Sequence, residues 1–95
     1  MASYATIRVE KHAISSIHES IQLSKRIMEQ KLTACKNRLT QFETLKQMDT
    51  ITFMRLFEHG ELGDDAEWLE WEHFANAAKM LQKKIEDLDT VQYEP

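Results

Sequence analysis

A chain of 95 residues is one domain by length, 1–95, and it buries a smaller fraction of its surface than a larger domain does, so its core is marginal unless shared. With 42% hydrophobic and 29% charged residues, no apolar run near the roughly 18 residues of a membrane span and no signal-like stretch in the first twenty, the composition predicts a soluble, cytoplasmic protein. The net charge of −4 is unevenly divided: residues 1–48 hold eight Lys/Arg against four Glu, and residues 49–95 hold four against twelve acidic residues. Such a division favours packing of one half on the other and leaves one end negative enough for a basic partner.

Residues that break regular structure are scarce: Gly60 and Gly63 lie close together, and Pro95 is terminal. At the N-terminus, Tyr4 to Val9 alternates in character and is compatible with a short strand, which would need a mate from another chain. A long helix is predicted over about residues 9–48. Ile14, Ile21, Met28, Cys35 and Phe42 recur every seven residues there, with Ile17, Leu32 and Leu39 as drifting companions. That precession fits a nearly straight helix in a bundle better than a strict two-stranded coiled coil. At 1.5 Å per residue it would be about 57 Å long, more than one short helix can cover. Cys35, the single cysteine, falls on this stripe and reads as a buried, inert thiol.

A short helix follows over about 50–58, capped by Asp49 or Thr50, with Phe53, Leu56 and Phe57 on one side and Gly60 as the left-handed residue that stops it. The chain then reverses into a helix over about 65–89. Asp64 and Glu67 stand at capping-box spacing before it, and Asp65 adds negative charge at the positive end of the helix dipole. Trp71, Phe74, Ala78, Leu81, Ile85 and Leu88 then form a heptad seam. The predicted fold is therefore all-α, an antiparallel helical hairpin with aromatic residues at its tip. Two such helices leave Ile14, Ile17 and Ile21 uncovered, so a homodimer forming a four-helix bundle is expected, with Met28, Trp71, Phe74 and Leu81 in its core.

The chemistry-bearing residues do not assemble into a reactive set. Glu70 and His73 form a Glu-x-x-His pair of the kind found in di-metal bundles, but no second pair faces it, and Trp71 and Phe74 take the buried seam. His12 and His18 do not share a helix face well, His59 sits in a turn, and Ser15, Ser16 and Ser20 have no identifiable base. No glycine-rich phosphate loop exists. The expectation is a non-enzyme without cofactor or metal.

From Glu58 to Glu72, seven acidic residues occur with no Lys or Arg. One reading is a solvated, well-capped helix start. The other is a docking patch of Glu61, Asp64, Asp65 and Glu70 around the aromatic anchors Phe53, Phe57 and Trp68. Trp68 has no clear place on the seam, which makes it the better anchor candidate.

The run Phe53-Met54-Arg55-Leu56-Phe57-Glu58-His59-Gly60-Glu61-Leu62-Gly63-Asp64-Asp65, followed by Trp68 and Trp71, resembles small helical prokaryotic proteins with a Phe-x-x-x-Phe-x-x-Gly-Glu-Leu-Gly-Asp-Asp pattern. These are associated with the antitoxin halves of toxin–antitoxin pairs. The resemblance covers roughly residues 42–88, is specific in its Gly-Glu-Leu-Gly-Asp core and generic in the long helix. It implies a non-catalytic partner that neutralises a small basic toxin. Two alternatives stand beside it. One is a ribbon-helix-helix DNA-binding regulator, favoured by the basic N-terminal half and opposed by overall acidity and the length of the first helix. The other is a structural coiled-coil adaptor.

Overall fold

The computed structural model describes residues 3–93 and is all-helical, with no strand among them. A 3₁₀ turn, Lys11–Ala13, leads into α1, Ile14–Lys46; α2 is Thr50–Glu58, and α3 is Ala66–Asp89. Helix α3 returns antiparallel along α1, giving a hairpin of 54 × 28 × 18 Å. Among the described residues no helix is long and apolar enough to cross a membrane.

The first helix begins later than the predicted residue 9. Residues 3–10 form neither helix nor strand, and neither Glu10 nor Ala13 provides a side-chain cap. Without such a cap the first N–H groups are organised by 3₁₀ bonds, Ala13 N to Glu10 O at 2.9 Å and Ile14 N to Lys11 O. Tyr4, Ile7 and Val9 remain exposed, so no packing draws this segment into the helix.

The C-terminus of α1 is closed by Gln47, which takes a left-handed φ of 53° while Met48 N donates to Glu43 O at 3.2 Å. Asp49 caps α2 by accepting from Thr52 N at 2.7 Å, and Glu43 accepts from Thr50 N at 2.8 Å. At the other end Gly60, φ 70°, completes a Schellman closure: Glu61 N donates to Leu56 O and Gly60 N to Phe57 O. The capping of α3 differs from the expected box. Gly63, φ 80°, turns the chain so that Asp65 takes the extended cap conformation and accepts from Glu67 N at 3.0 Å. The Glu67 carboxylate does not reach back; it pairs with Lys46 on α1.

Three ion pairs link the antiparallel helices: Lys25 with Asp89, Arg38 with Glu70 and Lys46 with Glu67. Between them lie two apolar clusters. The middle one joins Leu32, Cys35, Leu81 and Ile85, with Met28, Ala77 and Ala78 against it. The tip cluster joins Phe42, Phe53 and Trp71, with Trp68, Phe57 and Leu39 against it. Phe74, half-buried, touches both. Each such buried side chain contributes about 1.5–3 kcal/mol, and this burial rather than the exposed ion pairs holds the hairpin closed. The α3 seam is as expected except that Ala75, one turn beyond Trp71, is buried more deeply than Phe74. No residue between 3 and 31 or between 86 and 93 is buried, and Ile14, Ile17 and Ile21 are only half-covered.

Candidate functional site

The tip is built around one stacked aromatic group. Trp71, fully buried, lies parallel to Phe53 with ring centroids 4.0 Å apart and stacks on Phe42 at 5.5 Å. Its indole N–H donates to Thr50 Oγ1 at 3.1 Å, which fixes the first turn of α2 against α3. Phe53 has no exposed surface. It is therefore a core residue and not a contact residue, because the apolar side of α2 that carries it is spent on Trp71.

Trp68 also belongs to this group, although it remains half-buried. Its ring lies 5.8 Å from Phe53 and 6.2 Å from Trp71, with Lys46 Nζ 4.8 Å from its centroid. Phe57 is half-buried, 5.6 Å from Phe53. Each of these two presents part of its ring at the surface.

The predicted acidic residues separate into two roles. Glu61, Asp64, Asp65 and Glu70 are all exposed. Asp65 is occupied as the α3 cap, and Glu70 is held by Arg38, whose guanidinium lies over Phe42 and Phe74 at 4.7 and 5.5 Å and donates to Gln41 Oε1 at 2.7 Å. Glu58, Glu61 and Asp64 have no ion-pair partner among the described residues. These three flank Gly60 and Gly63, so three unpaired carboxylates lie within seven residues of one another at the turn between α2 and α3. At the base of α2 the Asp49 carboxyl is held below its ordinary value of 3.8, chiefly by the backbone N–H of Thr52 and next by its hydroxyl.

Sequence reasoning missed the exposed aliphatic residues of this end. Ile51 on α2 is 85% exposed and Leu45 68%, and Leu69 on α3 is also open to solvent. Their signal was present: each is apolar and off the periodic seam of its helix. His73 lies against the edge of Phe74, 5.5 Å between rings, while Glu70 is engaged elsewhere, so this pair does not converge. Among the described residues no group of three or more His, Cys, Asp or Glu is arranged to hold a metal ion.

The remaining predicted residues lie along the hairpin. Ile17 and Ile21 line an open groove of about 320 Å³ together with Ser16, Ser20 and Leu88, Ile14 lies half-covered at the start of α1, and Met28 borders the middle cluster where Leu81 is buried. Compared with models of protein families, with curated proteins and with solved structures, the chain matches none.

Proposed function

We propose that the chain is a non-catalytic, cytoplasmic protein-interaction module, homodimeric, whose acidic tip docks a basic protein in the manner of an antitoxin with a small toxin. The observation that carries this reading is the set Glu58, Glu61 and Asp64: three exposed carboxylates without ion-pair partners, on a turn braced by the stacked Phe53 and Trp71. An acidic surface accelerates encounter with a basic partner, and the exposed Ile51 and the half-buried Trp68 supply apolar area at the same end. A ribbon-helix-helix regulator fits less well, because residues 3–10 form no strand and α1 runs for 33 residues.

The test replaces Glu58, Glu61 and Asp64 together by Lys and titrates the variant calorimetrically against the product of the adjoining gene. Asp65 and Glu70 are left intact, since changing them would disturb a cap and an ion pair. Association should weaken and lose most of its salt dependence while circular dichroism stays unchanged. Unchanged affinity in this variant and in Ile51→Asp would remove the tip from recognition.

A further inference from the structure

The open half of the hairpin has apolar side chains without an interior. Ile14, Ile17, Ile21, Leu23 and Ile27 all precede Leu32, the first buried residue among those described. The two broad sides of the hairpin also differ in chemistry. The Arg38–Glu70 pair marks one of them. Reading back from Arg38 at helical spacing, about 3.6 residues per turn, leads to Ala34, Lys31, Ile27, Leu23, Ser20 and Ser16, and reading on from Glu70 leads to Ala77 and Lys84 with Met80 beside them. Leu23 is 52% exposed, Ile27 44% and Met80 52%. The Lys25–Asp89 pair marks the opposite side. There the exposed residues at the same spacing are polar, Gln22, Glu29 and Lys36 on α1 and Gln82 and Glu86 on α3, while the apolar Leu32 and Ile85 beside them are buried within the hairpin.

We infer that a second copy of this chain covers the side of Leu23, Ile27 and Met80, antiparallel to the first, and closes the open half as a four-helix bundle. This deepens the homodimeric part of the reading above and does not depend on what the tip binds. Two observations select a second copy in this orientation. The side sets the exposed Leu23, Ile27 and Met80 among the small residues Ser16, Ser20, Ala34 and Ala77, so another helix can approach it closely, and a second copy supplies the same apolar residues across a two-fold axis. The charge distribution then fixes direction. Residues 38–74 hold three basic residues against nine acidic ones, whereas the described remainder of the chain holds nine basic against six acidic. A parallel pair would bring two tips of net charge −6 together; an antiparallel pair sets each tip beside the positive half of the other copy. An ordinary interface takes about 800 Å² from each partner, a modest share of the 7668 Å² of accessible surface.

Sedimentation velocity on the full chain across the micromolar range tests the pairing, and Leu23→Glu/Ile27→Glu tests the side. That variant should sediment as a folded monomer, its dissociation constant raised at least about a hundredfold. The control Gln22→Glu/Lys36→Gln, on the polar side and with the same change in charge, should stay dimeric. Direction is read from electron–electron distance measurement with a nitroxide at Glu61→Cys in a Cys35→Ala background first shown to be folded and dimeric. The antiparallel pair places the two labels at opposite ends, a separation on the scale of the 54 Å long axis; a parallel pair places them side by side. A monomeric native chain overturns the homodimer altogether. A dimer that resists Leu23→Glu/Ile27→Glu, or that the control also dissociates, overturns the side while leaving the homodimer standing, and adjacent labels overturn the direction.

Discussion

Trp71 donates its indole N–H to the hydroxyl of Thr50 while its ring lies flat on Phe53, so one side chain of α3 holds the start and the middle of α2 at once. A nine-residue helix is too short to persist alone in water, so α2 depends on this contact together with the bond from Thr50 N to Glu43 on α1. Phe53→Ala and Trp71→Ala should each cost about 3–5 kcal/mol, the range for an emptied aromatic core position. Thr50→Val should cost about 1–3 kcal/mol by leaving the indole N–H without its acceptor. Chemical denaturation followed by tryptophan fluorescence measures all three; a smaller loss in Trp71→Ala than in Thr50→Val would mean that α2 is held from elsewhere.

Gln47 occupies a left-handed conformation that a side chain disfavours and glycine does not. Gln47→Gly should therefore raise stability by about 0.5–1 kcal/mol. The melting temperature should increase with no change in helix content. A decrease would show that the Gln47 side chain stabilises the turn by more than the backbone strain it imposes.

The adjacent aspartates before α3 provide a sharper comparison. Asp65→Ala removes the cap and should cost about 1 kcal/mol, whereas Asp64→Ala should fall within about 0.5 kcal/mol of the native chain. Equal losses measured by thermal denaturation would return the cap to the Asp64 and Glu67 box.

Two titrating groups shape the pH dependence of folding in opposite directions. Asp49 has a lowered folded value, so its contribution is present above the ordinary carboxylate range and disappears as the pH falls through the lowered value. Lys25 is raised above its ordinary 10.5, first by its hydrogen bond to the Asp89 carboxylate and then by the charges of Asp89 and Glu29, with burial opposing. Its contribution is present below that value and is lost as the pH rises through the raised one. Scanning calorimetry should show the melting temperature of Asp49→Asn falling less steeply in acid than that of the native chain, and that of Lys25→Met falling less steeply in alkali. Parallel curves for native and variant chains at either extreme would remove the corresponding assignment.

Much of the hairpin was legible because its signals are local. Asp49 and Gly60 delimit α2 in the sequence as they do in space, since a cap and a left-handed stop each act within a turn of themselves. The Trp71 to Leu88 seam was readable from its spacing for the same reason. The start of α1 was not, because no capping residue marks it and apolar residues such as Val9 look alike whether helical or extended. Asp64 and Asp65 both lie close to the first turn, and it is the extended backbone of Asp65, after the left-handed Gly63, that makes it the cap. The fate of Phe53 and the partner of Glu70 depend on which side of α3 the short helix meets and on a residue 32 positions away, neither of which periodicity encodes. For that reason the burial of Phe53 and the identity of the α3 cap were not legible, while Trp68 and Phe57 remain half-buried.

Cys35 lies between Leu32, Leu81 and Ile85 where α1 and α3 meet, and it is the chain's single thiol. A thiol reagent too large to enter that space reacts only when the helices part, so the modification rate is the product of the reagent's intrinsic rate and the fraction of molecules open. The denaturant dependence of that rate distinguishes a local peeling of α3, which exposes little surface, from complete unfolding, which exposes all of it. The native chain thus carries its own stopwatch for the parting of its two long helices, readable without any added label.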